Sequence, residues 1–122
     1  MITLLVGGRA SGKTHTAIER AKASGKNWIV LSPTRIEADA MRRSCPDGLW
    51  RSIRTVYGRL EWDLIVIDGA ERTRKRDALR IIGRLKDRGA DLLITANLNG
   101  DGCKKWVRRL AESGVVLVEE LK

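Results

Sequence analysis

The sequence predicts an α/β fold in three layers, a parallel sheet with helices on both faces. Two observations carry this: short β-rich runs alternate with helical stretches along the chain, and the helices have their own start and stop signals. A third is size, because 122 residues with 43% hydrophobic content build one core and leave no room for a second domain, so residues 1–122 are read as a single unit. The expected strands are Ile2 to Val6, Trp28 to Leu31, Ser52 to Val56, Leu64 to Ile67, Leu92 to Thr95 and Val115 to Val118. Between them, Lys13 to Ser24 reads as a helix stopped by Gly25. Thr34 and Glu37 form a capping-box pattern that opens a second helix, closed by Pro46 and Gly48. Thr73 to Arg88 forms a third, ending at Gly89, and Lys104 to Arg109 reads as a basic helix. Asn97 to Gly102 is expected to be a loop.

The first chemical signal directly follows the first strand. Gly7, Gly8, Arg9, Ala10, Ser11, Gly12, Lys13 and Thr14 fit the phosphate-binding pattern G-x-x-x-x-G-[KR]-[ST], with a strand before and a helix after. Glycine permits backbone conformations that turn several N–H groups inward, and the helix directs its positive end to the same place. Lys13 is expected to reach the β and γ phosphates of a nucleotide, and the Thr14 hydroxyl to hold a bridging magnesium ion. The second signal is the apolar run Leu64 to Ile67 ending on Asp68, a Walker B pattern. A carboxylate at the carboxyl end of a central parallel strand faces the crevice that holds the phosphate loop, where it can bind magnesium through water. Thr95 and Asn97, at the exit of a further strand, are candidates for sensing a γ phosphate or positioning water.

Charge and cysteine usage narrow the partners. With 24 Lys and Arg against 15 Asp and Glu the formal charge is +9, which favours polyanions such as nucleic acid. Cys45 and Cys103 lie far apart and His15 is the sole histidine, so neither a disulfide framework nor a zinc site is expected. No apolar stretch approaches the ~18 residues of a membrane span, and a cytoplasmic protein is the expectation. Trp28 and Trp62 adjoin strands and are expected to pack, whereas Trp106 in its basic helix is a candidate for contact with bases.

The order of these motifs resembles the first, RecA-like lobe of superfamily 2 helicases, including the DEAD-box group, over nearly the whole chain. Gly7 to Thr14 stands for motif I, Leu31 to Ala38 with its Pro33-Thr34-Arg35 core for motif Ia, Thr55 to Leu60 for motif Ib, Asp68-Gly69-Ala70-Glu71 for Asp-Glu-Ala-Asp, and Thr95-Ala96-Asn97 for Ser-Ala-Thr. The resemblance implies an ATP-binding, magnesium-dependent lobe that grips a DNA or RNA backbone through Thr34, Arg35, Thr55, Gly58 and Arg59. It also implies that the Thr95 strand lies between the phosphate-loop strand and the Asp68 strand; adjacency of the latter two is instead the mark of kinases and small GTPases.

Three departures accompany it. Gly69 stands where the family has the glutamate that activates water, so Glu71 becomes the candidate base, acting with Lys13. No base-selecting segment is expected before the first strand. Nor is a second lobe with its arginine finger expected, which predicts a homo-oligomer or a motor partner supplying an arginine; Arg9, Arg42, Arg43 and Arg108 are candidate donors in a self-assembly. Alternative readings are the ATPase lobe of a phage DNA-packaging terminase, a nucleotide or nucleoside kinase, and a nucleotide-binding or decoy module that does not hydrolyse.

Overall fold

The computed structural model describes residues 1–8, 12–56, 61–86, 89–98, 105–114 and 116–121. Six strands form one sheet: β1 (Ile2–Val6), β2 (Trp28–Ser32), β3 (Trp50–Ser52), β4 (Leu64–Ile67), β5 (Asp91–Ala96) and β6 (Leu117–Glu120). Their spatial order is β3-β2-β4-β5-β1-β6, and every pairing is parallel. The Thr95 strand thus lies between the phosphate-loop strand and the Asp68 strand, as expected for the RecA-like class.

Alternation along the strands builds the three layers. Leu4, Leu31, Ile65, Ile67 and Ile94 face one side, where α3 (Lys75–Lys86) contributes Ile81 and Leu85 and α4 (Lys105–Glu112) contributes Trp106 and Val107. Leu5, Val30, Val66 and Leu93 face the other, against Ala17, Ile18 and Ala21 of α1 (Lys13–Ala23) and Ala38 of α2 (Arg35–Ser44). Successive residues of β4 are buried on opposite faces, which is why this strand reads as an unbroken apolar run.

Local chemistry sets several boundaries away from the expected ones. The strand expected over residues 52–56 is instead Trp50–Ser52 followed by a 3-10 turn, Ile53–Thr55. Trp50 is fully buried with its indole N–H donating to Cys45 O at 2.9 Å, and the Ser52 hydroxyl accepts from Arg54 N, turning the chain out of the sheet. The third helix begins at Lys75, not Thr73, because Thr73 closes a 3-10 turn over Ala70–Arg72 with its N–H on Ala70 O and its hydroxyl on Gly69 O. The last strand is described over Leu117–Glu120, with Val116 before it buried in the core; Val115, where the strand was expected to begin, lies outside the described residues. Thr34 caps α2 by accepting from Glu37 N at 3.2 Å, but the Glu37 carboxylate accepts from the Thr34 hydroxyl and from Arg72 and does not close the box on the backbone. Trp28 and Trp62 pack as expected. Trp106 does not serve as an open stacking platform: it is only 7% exposed, with its indole N–H on Thr73 O at 3.1 Å. Among the described residues no helix is long and apolar enough to cross a membrane.

Candidate nucleotide site

The site lies at the carboxyl ends of β1, β4 and β5, where the topology brings three separate segments together. Gly7 leaves β1 with its N–H on Ala96 O at 3.2 Å, which binds the start of the phosphate loop to the end of β5. Gly12 caps α1 in the left-handed conformation, φ 81° and ψ 20°, which glycine adopts without the steric penalty of a Cβ. Lys13 extends back over the loop and its ammonium donates to Gly8 O at 2.8 Å. Arg9, Ala10 and Ser11 lie outside the described residues.

Thr14, Asp68 and Thr95 meet through a shared oxygen. The Thr14 hydroxyl donates to Asp68 Oδ1 at 2.9 Å and the Thr95 hydroxyl donates to the same atom at 2.7 Å. Thr95 Oγ1 in turn accepts from Gly69 N at 2.9 Å, so this hydroxyl is fully engaged in holding the turn after β4. Asp68 is 8% exposed and its own N–H is bound to Leu31 O, leaving the carboxylate fixed by two hydroxyls from different elements. A carboxylate and an adjacent hydroxyl are hard oxygen donors, and magnesium is commonly held by this small a protein set together with phosphate and water. The donor set therefore fits the ion. Among the described residues no cluster of three or more His, Cys, Asp or Glu side chains offers an all-protein metal cage. Asn97 follows β5 directly and is half-buried.

The position after Asp68 is structurally committed. Gly69 has φ 79°, and a Cβ there would lie 2.5 Å from Nη2 of Arg72. The Arg72 guanidinium fills that space, pairing with Glu37 at 2.8 Å and with Glu71 Oε1 at 2.9 Å. Glu71 Oε2 is buried and has no hydrogen-bond partner among the described residues. Ser32 lies within the motif Ia stretch but had no role there: it ends β2 one step beyond the Leu31 and Ile67 pair, level with Asp68, and its buried hydroxyl is likewise unpartnered among the described residues.

The proposed backbone-gripping residues partly converge. Arg35 and Thr55 line one depression of about 330 Å³ together with Arg42, Arg51 and Ser52. Thr55 donates its hydroxyl to Ser52 O at 3.1 Å, and the Arg35 side chain is 87% exposed with Asp39 3.9 Å away. Thr34 sits just before this depression and spends its hydroxyl on the cap of α2. Gly58 and Arg59 lie outside the described residues. Arg51 was not anticipated, because it reaches this depression only when β3 is placed beside α2.

Comparison with known proteins gives fold relatives only. No protein-family model and no curated protein matches the chain. Among solved structures, Bacteroides Pif1 bound to single-stranded DNA matches with a TM-score of 0.63 and 19% identity over 98% of this chain and 38% of its own. The replication initiator DnaA bound to AMPPCP and single-stranded DNA matches with a TM-score of 0.59 and 18% identity, covering 99% of this chain and 40% of its own. Domain III of Thermotoga maritima DnaA matches with a TM-score of 0.56 and 15% identity, covering 99% of this chain and 54% of its own. The chain thus spans about 40% of the length of the first of these relatives. The parallel six-stranded sheet, its strand order and these neighbours together place the chain in the RecA-like P-loop NTPase fold class.

Proposed function

We propose that this chain is a magnesium-dependent ATP-binding lobe that works on or beside nucleic acid, in the manner of a helicase or translocase motor. The observation that carries it is the convergence of Thr14, Asp68 and Thr95 on one carboxylate oxygen at the mouth of the phosphate loop. Lys13 moves from Gly8 O to the phosphates and offsets their charge, while loop N–H groups cradle the triphosphate. Thr14 and Asp68 would hold a magnesium ion, which would supply positive charge against the charge that develops on phosphate, and Thr95 fixes the orientation of Asp68. Fold relatives captured with AMPPCP or ADP-AlF4 support the nucleotide reading, and those bound to single-stranded or forked DNA support the nucleic-acid reading. The superfamily 2 assignment rests on motif order, with Arg35 and Thr55 meeting at one depression in its favour. Turnover at an appreciable rate requires an arginine from a second copy or another subunit, because such a group is worth ~10³ to 10⁵ in rate.

A second reading has its own observation. Arg72 occupies the space beside Gly69 and ties up Glu71, which favours a lobe that binds nucleotide without hydrolysing it. Calorimetric titration with Mg·ATP, paired with turnover assays with and without DNA or RNA, tests both. The motor reading expects binding that is lost in Lys13→Ala and weakened in Asp68→Ala, and turnover stimulated by nucleic acid. Binding without turnover under every condition selects the passive module, and no binding by the folded chain sinks both readings.

A further inference from the structure

Several cations described in this chain have a carboxylate to answer them: Arg20 pairs with Glu119, Lys22 with Asp47, Lys26 with Asp91, Arg42 with Asp39, and Arg72 with two acids. Four exposed cations on the α3 and α4 side of the sheet differ. Arg74, Lys75, Lys105 and Arg109 line a single depression of about 430 Å³ with Trp106. Among the described residues, none of the four side chains takes part in an ion pair or hydrogen bond. The acids on the same helices do not offset them. Asp77 is 8% exposed and lies 3.9 Å from Arg80, and Glu112 sits at the far end of α4, away from the lining. Keeping like charges close together without counter-charges is unfavourable, and a bound polyanion relieves it.

The depression does not end at the cations. A second one of about 240 Å³ shares Lys75, Trp106 and Arg109 and continues along the helix pair over Leu79, Ile82 and Leu110. Leu79 is 48% exposed. A cleft with cations at one end and an apolar wall beside them suits a ligand that carries phosphates and flat apolar faces together. Duplexes stack their bases away from such a wall; a single strand presents them. Both helices start at the carboxyl edge of the sheet, the edge on which the phosphate loop opens, so a strand lying here is close to the nucleotide site. The depression lined by Arg35 and Thr55 is on the other face, beside α2 and β3.

We propose that the cleft between α3 and α4 is a second contact for nucleic acid, binding a single strand with its phosphates on Arg74, Lys75, Lys105 and Arg109 and its bases against Leu79 and Ile82. This rests on the nucleic-acid reading above and adds to it a strand path that the motif resemblance does not provide. Phosphate contacts of this kind hold a strand without reading its sequence.

The test is fluorescence anisotropy of the whole chain with a labelled oligothymidine of about twelve nucleotides, a length within the range such grooves cover. It is measured across a salt series. Each phosphate contact to a single strand contributes about 0.7 to the slope of log K against log salt, so changing all four cations to Gln is expected to flatten the slope by about 2.8. Between about 50 and 200 mM salt the unaltered chain then loses about 50-fold more affinity than the variant. Arg109→Gln alone, the mildest change, is expected to flatten it by about 0.7. Leu79→Ser is expected to weaken binding of the oligothymidine but not of a duplex of equal length. Unchanged Mg·ATP affinity in each variant shows that the fold is intact. The inference fails if the fourfold variant keeps the original slope and affinity while Arg35→Ala loses binding; the nucleic-acid function then survives with its contact elsewhere. It also fails if polyglutamate displaces the oligothymidine as effectively as unlabelled strand, which would point to an acidic protein partner. Absence of any oligothymidine binding by the unaltered chain overturns this inference and the nucleic-acid reading together.

Discussion

Thr95 joins two strands at the site through one hydroxyl, donating to Asp68 and accepting from Gly69 N. Replacing it with Val keeps the shape but leaves the buried Gly69 N–H without its acceptor, a loss of about 1 to 3 kcal/mol. Equilibrium urea unfolding of Thr95→Val should show that decrease, with Thr95→Ser close to the original. A Val variant of unchanged stability would remove Thr95 from this role. Gly69 is constrained from two sides, by its φ of 79° and by the Arg72 guanidinium in the way of any side chain. Gly69→Ala is therefore expected to cost about 1 to 2 kcal/mol from backbone strain, with crowding added. In a double-mutant cycle with Arg72→Ala, only the crowding should be recovered. Purely additive effects would show that Arg72 does not press on this position. Installing glutamate here is expected to give no hydrolysis unless Arg72 is also removed. These roles were half-legible in sequence: a glycine replacing an expected glutamate is visible as a departure, but the arginine three positions later that fills its space is not.

Among the elements, β1 and β5 are joined at their starts by charge. The Met1 ammonium and the Lys26 ammonium both bind the Asp91 carboxylate, Met1 at 3.3 Å. Its hydrogen bond with Lys26 holds the Asp91 pKa below the ordinary 3.8; partial burial opposes this, and the Met1 ammonium adds to the lowering. A carboxyl group depressed in the folded state contributes stability that is fully present above its unfolded value and is lost as pH falls through the folded value. Asp91→Asn is thus expected to destabilise near neutral pH by up to about 1 kcal/mol, as partly exposed pairs do. The gap to the unaltered chain should close below pH 3.8. A gap that persists unchanged at pH 2 would assign the loss to packing. Element identity was readable from apolar runs and capping residues. The starts of β3 and α3 were not, because Trp50 and Thr73 bond to carbonyls five and four residues back instead of continuing the regular pattern.

At the scale of the whole molecule, the RecA-like fold opens the proposed nucleotide site at the sheet edge, and under the motor reading catalysis requires charge from outside. Turnover per chain is expected to rise with protein concentration if a second copy donates an arginine, and sedimentation with Mg·ATP should show a matching shift to larger species. Rapid turnover by a strictly monomeric chain, constant on dilution, would overturn the need for a partner. If the chain associates with nucleic acid as proposed, the +9 charge is expected to make that association steeply salt-dependent, with the two cationic depressions on opposite faces sharing the dependence.

The linear chain by itself determined the α/β class, the phosphate loop and the acid at Asp68, since each is written in contiguous residues whose periodicity, glycine spacing and apolar burial are local properties. Only the tertiary structure decided that Thr14, Asp68 and Thr95 share one oxygen, that Arg72 fills the place beside Gly69, and that cations of α3 and α4 face a common cleft. The physical reason is strand order: inserting β5 between β1 and β4 brings together residues up to 81 positions apart, from Thr14 to Thr95, and no local pattern encodes that distance.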